Sequence, residues 1–412
     1  MRVPECLALM LSVCAGAAGA ETKTFELTVA AGPRDRLNTP IRAALVVPKA
    51  LQDARAATLQ DAAGKALAAQ ITPPVLLETL TAPEGSVVRG LEFILPALKA
   101  GETATLKATV STEPPPPAAG FKWHDTAGDF AELRFDARPV MRYMYKEIGA
   151  GPARALTYKV FHHLYDPAGK RLVTKGPGGE YTHHRGIFYG FKCTYEGTTV
   201  DTWHCTGDTH LGHAGFLRSD AGPVLGRHLV KVEWHGAGKK VFANEERELT
   251  AYNVPGGTLV EFSSRLRSTG GTVKVGGDPQ HAGFHFRADN EVAATTKNQT
   301  YYVRPDGAGK PGETRNWPGQ KTHANLPWDA MSFVLGTQRY TVAYLDRPEN
   351  PKEARFSERD YGRFGSYFET EFDEKKTLDV RYRLWLQEGE MTVEQVAASS
   401  ADFVDPPKVT VK

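Results

Sequence analysis

The sequence predicts an all-β protein, in which a small N-terminal immunoglobulin-like sandwich precedes a large antiparallel β-sandwich of the supersandwich type. Apolar and polar residues alternate over short runs along most of the chain, which is the pattern of half-buried strands. The 40 glycines and 27 prolines cluster between these runs and favour turns. A length of 412 residues exceeds that of a typical single domain, so we expect two β domains.

The first domain is predicted over residues 21–112. Its size and its alternating runs are typical of a small immunoglobulin-type sandwich. The alanine-rich stretch 54–69 is open between a helical turn and a loop. The alternating runs lie at residues 25–29, 41–47, 87–95 and 104–110.

Four consecutive prolines, Pro114–Pro117, mark the predicted domain boundary. Such a run favours a stiff, extended linker, because proline can continue neither a helix nor a central strand. We assign the linker to residues 113–119 and the second, larger sandwich to residues 120–412.

Within the second domain the strand pattern resumes, with runs that include 156–164 and 281–287. A helix is predicted only over 393–401, where Thr392 is suited to the N-cap position and Gln395 follows three residues later. A long series of strands with one helix indicates two stacked sheets, because stacking buries more apolar surface than a single sheet can.

The first twenty residues resemble an export signal. Arg2 supplies a positive charge, residues 7–14 are apolar, and Ala18-Gly19-Ala20 offers small residues for cleavage near Ala20. The apolar stretch is shorter than the ~20 residues that span a bilayer, and no later segment predicts a membrane span. The chain is therefore predicted to be exported, to the periplasm or the extracellular space.

Charge and cysteine content narrow the possible partners and the redox chemistry. The 50 basic and 48 acidic residues show no uncompensated basic cluster, so no nucleic-acid partner is predicted. Cys193 and Cys205 remain after the signal is removed. An oxidising compartment permits a disulfide between them, and two separate buried thiols are the alternative.

Eleven of the thirteen histidines lie between His162 and His285. Histidine suits acid–base chemistry and metal ligation near neutral pH, so this concentration indicates where a functional site would lie. Five histidines are predicted to have structural roles: His162, His163, His228, His235 and His323.

The segment 180–191 runs from a glycine-containing turn into a strand. Because adjacent strand residues point to opposite faces, His184 shares its face with glycines that leave open space for a ligand. His183, Arg185 and Tyr189 share the other face. We take His184 and Arg185 as candidate catalytic residues and His183 and Tyr189 as candidate ligand contacts. The alternative for His183 is a turn-capping role.

Two further segments carry candidate residues. Asp201 and Trp203 would share one strand face, where a carboxylate beside an exposed indole could hold a sugar. In the strand 281–287, His281, His285 and Arg287 would line a polar face, and we take these three as candidate catalytic residues.

Structural alternatives stand beside these roles. Arg185 and Arg287 could each neutralise a buried carboxylate such as Asp201. A metal site needs three or four ligands that converge on one point. His184, His204 and His285 are the set that we consider for a divalent metal, although no local spacing requires it.

Six segments carry a family resemblance: His162-His163-Leu164-Tyr165-Asp166-Pro167-Ala168-Gly169, Tyr181-Thr182-His183-His184-Arg185-Gly186-Ile187-Phe188-Tyr189-Gly190, Val200-Asp201-Thr202-Trp203, Arg347-Pro348-Glu349-Asn350-Pro351, Arg359-Asp360-Tyr361-Gly362-Arg363-Phe364 and the closing strand 378–386. They resemble a family of exported bacterial proteins labelled "methane oxygenase PmoA". The resemblance covers roughly residues 130–390, and its members sit among secreted sugar-degrading enzymes, which implies a carbohydrate ligand. Methane oxidation is not implied, because a membrane methane monooxygenase subunit consists of transmembrane helices.

The first functional hypothesis is an exported enzyme that acts on a sugar or sugar acid by histidine acid–base chemistry, of lyase or hydrolase type. No convincing pair of catalytic carboxylates, which most glycosidases need, is found in the sequence. The alternatives are a non-catalytic carbohydrate-binding or scaffold protein and a histidine-ligated metal-dependent oxidoreductase. No cofactor is assigned under the first hypothesis.

Overall fold

The computed structural model describes residues 20–278 and 280–412, so the signal-peptide prediction falls almost wholly on residues outside the described part. Within the described residues the chain forms two β-sandwiches, as the alternation predicts. Neighbouring strands pair antiparallel in both sandwiches.

The small sandwich consists of a five-stranded and a three-stranded sheet, in the orders β29-β1-β7-β3-β4 and β2-β6-β5. Its strands are β1 (Thr22–Ala30), β2 (Arg36–Pro48), β3 (Ala56–Asp61), β4 (Ala66–Leu67), β5 (Ala69–Thr72), β6 (Ser86–Leu98), β7 (Thr103–Ser111) and the C-terminal β29 (Lys408–Val411).

Alternation along β1 shows why this sandwich forms. Phe25, Leu27 and Val29 are buried while the residues between them are more exposed, so one face of the strand enters the core. The stretch 54–69, which the sequence left open, is neither a helical turn nor a loop. Most of it forms the β3–β4 hairpin, which leads into β5.

The large sandwich consists of an eight-stranded, a nine-stranded and a four-stranded sheet. Their orders are β25-β26-β20-β12-β11-β10-β9-β8, then β15-β16-β17-β18-β28-β24-β23-β21-β22, and β14-β13-β19-β27. The strands are β8 (Phe121–Thr126), β9 (Phe130–Phe135), β10 (Arg138–Met144), β11 (Phe161–Leu164), β12 (Ile187–Gly190), β13 (Lys192–Tyr195), β14 (Thr198–Asp201), β15 (His210–Ala221), β16 (Leu225–His235), β17 (Val241–Tyr252), β18 (Thr258–Ser268), β19 (Val273–Gly276), β20 (Gly283–Arg287), β21 (Tyr301–Arg304), β22 (Gly307–Ala308), β23 (Trp328–Leu335), β24 (Gln338–Asp346), β25 (Arg355–Arg359), β26 (Arg363–Tyr367), β27 (Thr370–Phe372) and β28 (Leu378–Glu388).

Aromatic residues fill the space between the two larger sheets. Phe284 of β20 lies with its ring centroid 4.5 Å from that of Phe262 on β18 and 4.5 Å from that of Tyr382 on β28. Fully burying a side chain of this size contributes about 2–3 kcal/mol, so these contacts hold the sheets face to face.

Helices are few among the described residues. The helix α2 (Val393–Val404) begins at Thr392, whose side chain accepts a hydrogen bond from the backbone of Gln395, as predicted. The predicted strand 156–164 is wrong at its start, because α1 (Arg154–Thr157) occupies that part and only β11 is extended. Single turns of 3₁₀ helix lie at Lys49–Leu51, Gly151–Ala153, Ala237–Lys239 and Lys297–Gln299, and one π-helical turn lies at Val292–Thr296.

The end of the chain departs from the predicted division at residues 120–412. Strand β29 pairs with β1, so the C-terminus returns to the small sandwich. Hydrogen bonds also join the two sandwiches directly, because Gln70 Oε1 accepts from the backbone N–H groups of Val224 and Leu225 at 3.2 and 3.1 Å. The two sandwiches therefore contact each other in addition to being joined by the proline segment.

Cys193 and Cys205 are both buried free thiols. The alternative of two separate thiols therefore describes the structure, and no disulfide joins them. Among the described residues, no helix combines the length and the apolar character that crossing a membrane requires.

Candidate metal centre

Three histidines from separate segments come together at one end of the large sandwich. His183, His204 and His281 each place one ring nitrogen within 4.8 Å of the others. The ring centroids lie 4.4 Å apart for His183 and His204, and 4.8 Å apart for His204 and His281. We call this group the three-histidine centre.

Two of these histidines are each bonded to an aspartate three residues earlier in the same turn. Asp201 Oδ1 accepts from the backbone N–H of His204 at 2.8 Å, and Oδ2 lies 2.7 Å from His204 Nδ1. Asp278 Oδ1 accepts from the backbone N–H of Gln280 at 2.9 Å and lies 2.9 Å from His281 Nδ1. Both turns thus have the spacing Asp-x-x-His.

The carboxylates decide which ring nitrogen remains available. Burial alone would raise the pKa of Asp201, but hydrogen bonds from the ring and backbone of His204 hold that pKa below its ordinary value. The balance for Asp278 is the same, with His281 as the donor. An ionised carboxylate can only accept, so each Nδ1 carries a proton, and Nε2 is the nitrogen that remains for a metal.

The third histidine reaches the centre from the loop between β11 and β12. The Nε2 atom of His183 is buried and lacks a hydrogen-bond partner among the described residues. Burial, and then the nearby His204 and Lys159, lower the pKa of His183 to about 3, so its ring is neutral near pH 7. A neutral imidazole with a free nitrogen is suited to ligate a metal.

Gly186 fixes the path of that loop. Its φ is +27°, and a Cβ built there would lie 2.1 Å from the carbonyl oxygen of His162. The backbone of Gly186 donates to Lys175 O and accepts from Arg287 N, both at 2.8 Å. Only glycine permits this close approach, which explains a glycine directly after the His-His-Arg sequence.

The three-histidine centre is accessible to solvent on one side. The side chains of His204 and His281 are 30% and 34% exposed. A metal held by three protein nitrogens at such a position would keep a coordination site for water or substrate, which distinguishes catalytic from structural zinc sites.

A cleft of about 350 Å³ adjoins the centre, and His281 contributes to both. His184 contacts the cleft although it is only 2% exposed, and neither of its ring nitrogens has a partner among the described residues. Burial, and then Arg363, lower the pKa of His184 well below its usual value. The cleft is lined by Glu180, Tyr181, His184, Gln280, His281, Lys297, Arg359, Asp360 and Tyr361.

The cleft combines positive charge with an aromatic face. Lys297 and Arg359 bring two cations to its lining, opposite in sign to Glu180 and Asp360. Tyr181 is 43% exposed, with its ring centroid 4.9 Å from that of Tyr361. The two cations and two carboxylates balance, so the lining suits a small polar ligand.

The structure brings His281 and His183 together but separates them from His285 and Arg287. His285 is fully buried, with Nε2 2.9 Å from Ala282 O and Nδ1 3.2 Å from Arg363 Nη1. Arg287 is also fully buried, where its guanidinium lies over a tyrosine ring and bonds backbone carbonyls. The expectation that both line an open polar face is wrong, because turns from other segments cover that face.

Arg185 has a structural position as well. It is fully buried, its guanidinium donates to Leu156 O at 3.0 Å and to Ala155 O at 2.5 Å, and it lies 4.2 Å from the ring centroid of Tyr158. Arg185 therefore anchors α1 by its backbone carbonyls. The alternative partner considered from the sequence, a buried carboxylate, is not the one it uses.

Two predicted ligand contacts are core residues. Trp203 is fully buried against Phe161 and Phe188, so its indole offers no exposed platform to a sugar. Tyr189 is 1% exposed and packs against other aromatic rings of the main core. Asp201 keeps a place in the site, but it orients His204 instead of contacting a ligand.

The proposed ligand set of His184, His204 and His285 is also corrected. Only His204 belongs to the converging group, and His183 and His281 replace the other two. Asp278 was missed, although the sequence holds a signal for it, because the Asp-x-x-His spacing occurs at both Asp201 and Asp278.

A family model matches residues 131–401, described as a family of unknown function, DUF6807. The match covers more than half of the chain. The chain belongs to this family. The DUF6807 region contains the three-histidine centre and its cleft, whereas the first eight strands precede it. The resemblance to the family labelled "methane oxygenase PmoA" stays a prediction.

Solved structures with a similar course of chain include an α-mannosidase from Enterococcus faecalis V583, at 8% identity and a TM-score of 0.47. A protein in glycosyl hydrolase family 38 from Enterococcus faecalis matches at 9% identity and a TM-score of 0.45. Each match covers 94% of this chain and 46% or 47% of the other, so the chain spans about half their length. At such low identity and TM-score, the likeness says nothing about activity. No curated protein matches significantly in sequence.

Proposed function

We propose that the chain is a metal-dependent enzyme that acts on a sugar acid, with a divalent metal ion bound by His183, His204 and His281. The observation that carries this proposal is the convergence of three imidazole nitrogens, two of them oriented by carboxylates. Metal-ligating histidines characteristically donate their other N–H to such a partner.

The donor set fits a transition metal of the zinc type. Tetrahedral zinc bonded to nitrogen at 2.0–2.1 Å needs nitrogens about 3.3 Å apart. The three ring nitrogens lie within 4.8 Å of one another, so small side-chain rotations would bring them to that spacing. Imidazole ligands suit zinc, copper, iron and nickel, and because histidine binds a metal as the neutral ring, such ligands would leave the full charge on the ion.

A metal ion at this place would supply the chemistry that the buried histidines cannot. His184 and His285 were predicted to transfer protons near neutral pH, but burial lowers the pKa of both well below the usual range. A water bound to zinc has a pKa near 7, so it can provide the base or nucleophile instead. His184 then serves as a neutral hydrogen-bonding contact to the substrate.

The cleft favours a single sugar acid as the group that is bound. Its volume of about 350 Å³ lies at the small end of ligand pockets. Arg359 and Lys297 can pair with a carboxylate, and the exposed ring of Tyr181 can cover an apolar sugar face. The polar groups of Gln280 and Glu180 remain for hydroxyls.

The reaction is of lyase or hydrolase type. Both types need a proton to be removed or supplied next to the anionic sugar. His281 belongs to both the three-histidine centre and the cleft, so an ion held there would place its water beside the cleft. Glu180 and Asp360 also line the cleft, and they form a pair of carboxylates that the sequence alone did not reveal. Either could protonate a leaving oxygen.

The decisive experiment combines metal analysis with a substrate screen on the full chain. Uronate-containing oligosaccharides are incubated with the protein as purified, after chelation, and after addition of Zn²⁺, Mn²⁺ or Cu²⁺. Products are followed by absorbance, for an unsaturated sugar, and by mass. We expect turnover that chelation abolishes and one of the ions restores.

Matched variants locate the effect. His204→Ala should lose the metal ion of the three-histidine centre and the turnover, whereas His235→Ala should keep both. His235 is a suitable control because it also lies near a carboxylate, 3.5 Å from Glu233, but outside the three-histidine centre. Turnover that survives complete chelation contradicts the metal mechanism. Sugar binding without turnover in the metal-loaded protein contradicts the assignment as an enzyme.

A further inference from the structure

A second group of potential ligands lies inside the large sandwich. His323, Asp329 and Glu358 place one ligand atom each within 4.8 Å of the others. Their exposures are 3%, 0% and 0%. We call this group the buried triad. The sequence predicts a structural role for His323 and contains no local pattern that indicates the two carboxylates.

Asp329 is the unusual member of the buried triad. Both of its carboxylate oxygens are buried and lack a hydrogen-bond partner among the described residues. Asp346 shows the ordinary arrangement, since it is 2% exposed and accepts from Asn350 Nδ2 and Lys352 Nζ at 2.6 Å each. A buried carboxylate without partners is costly, and such groups are normally paired or bound to a metal.

The nearest cation forms its hydrogen bonds with Glu358 and not with Asp329. Arg304 donates to both oxygens of Glu358, at 2.7 and 2.6 Å, and the backbone N–H of Arg315 donates at 2.7 Å. The one fully buried guanidinium in this group is thus committed to Glu358. A proton on Asp329 would remove its charge and let one oxygen donate a hydrogen bond, whereas a cation would remove the charge and also give His323 Nε2 a partner.

The spacing within the buried triad points the same way. His323 Nε2 lies 3.2 Å from Glu358 Oε1, yet the two do not meet hydrogen-bond geometry. Ligands around a tetrahedral zinc ion are separated by about 3.3 Å. One oxygen of Asp329, one oxygen of Glu358 and Nε2 of His323 would supply three protein donors, and the second oxygen of Asp329 would provide a longer fourth contact.

We propose that the buried triad of His323, Asp329 and Glu358 binds a structural divalent cation of the zinc type. This site is distinct from the three-histidine centre and does not depend on the proposed function. The absence of solvent exposure and the presence of protein donors alone are features of a closed, structural site.

The location indicates what the ion does. Asp329 belongs to β23 in the nine-stranded sheet, and Glu358 belongs to β25 at the edge of the eight-stranded sheet. An ion between them joins the two sheets. Glu358 is also the neighbour of Arg359 in the cleft, and Asn316 Oδ1 accepts from both the Glu358 backbone N–H, at 3.2 Å, and the Arg359 guanidinium.

Anomalous diffraction at the zinc absorption edge, measured on crystals of the full chain grown with zinc, tests the site directly. We expect a peak enclosed by the buried triad, whether or not a second peak lies at the three-histidine centre. A map with no peak between these three residues overturns the proposal. Because this measurement uses the natural sequence, it does not depend on a variant that folds.

Metal content then assigns the two sites separately. Asp329→Asn should lose one equivalent of zinc that His204→Ala retains. Chelation should lower the Tm of His204→Ala, but it should not lower the Tm of the double variant that also carries Asp329→Asn. Asp346→Asn is the control, because it alters an equally buried carboxylate that already has partners, and it should keep the full metal content. Equal zinc content in Asp329→Asn and the natural chain overturns the proposal.

Discussion

Replacing Asp201 by asparagine tests the logic of the three-histidine centre with one atom changed. The amide oxygen of asparagine can still accept the backbone N–H bonds of Trp203 and His204, which measure 2.9 and 2.8 Å. The bond of 2.7 Å from His204 Nδ1 to the charged oxygen is lost or becomes neutral. The turn should therefore persist while the orientation and basicity of His204 change.

The expected magnitude follows from these contacts. Loss of a carboxylate that orients a metal-bound histidine typically weakens metal affinity by about 10–100-fold. That range corresponds to about 1.4–2.8 kcal/mol of binding free energy. Replacing a charge-assisted hydrogen bond by a neutral one costs only about 1 kcal/mol of folding stability. The effect on metal affinity should thus exceed the effect on stability.

Competition with a chromogenic chelator measures the zinc Kd of Asp201→Asn and the natural chain. Asp373→Asn is the matched control, because Asp373 also caps a turn, accepting from Lys375 and Lys376 backbone N–H groups at 2.6 and 2.7 Å, but contacts no histidine. We expect Kd to rise 10–100-fold in Asp201→Asn and to stay unchanged in the control. Identical Kd values in all three proteins would refute the role of Asp201.

Four shorter predictions follow from other contacts. Gly186→Ala should destabilise the fold by about 3 kcal/mol or more, since its Cβ would meet the His162 carbonyl, and an unchanged urea midpoint would contradict this. Arg359→Gln should raise KM for an anionic substrate about 10-fold or more with little change in kcat, whereas a fall in kcat alone would argue against a binding role. His285→Ala should lower stability by about 3 kcal/mol and leave metal content unchanged, so a loss of metal would place His285 in the centre. Burial lowers the pKa of Lys159 to about 8, so between pH 8 and 10 the unfolded chain binds a proton that the folded chain lacks. The free energy of unfolding of the natural chain, relative to that of Lys159→Met, should therefore rise by up to about 1.4 kcal/mol per pH unit over this range. A difference between the two proteins that does not change with pH would refute this.

Local patterns were sufficient for most of the fold. The alternation of Phe25, Leu27 and Val29 specifies a strand with one buried face, because successive side chains point to opposite sides. Thr392 specifies the start of α2, because its capping bonds involve only residues of the same turn. The segment 156–164 was mispredicted, since a short apolar run is compatible with a helical turn as well as with a strand.

Local patterns were also sufficient for part of the candidate site. The concentration of histidines indicated the right region, and the Asp-x-x-His spacing at Asp201 and Asp278 could have identified two of the ligands, since each carboxylate bonds within its own turn. His183 could not be separated from His184 in this way. The loop conformation that points one ring to the centre and the other to the cleft depends on the contact of Gly186 with a distant strand.

The sequence by itself determined which strand face each residue occupies, but only the tertiary structure decided what covers that face. His281 and His285 share the same alternation, yet His281 is partly exposed beside its partner histidines and His285 is buried beside Trp203. The turn that places Trp203 over strand β20 lies about 80 residues earlier in the chain. Contacts between such distant segments are set by the packing of whole sheets, so no local spacing records them.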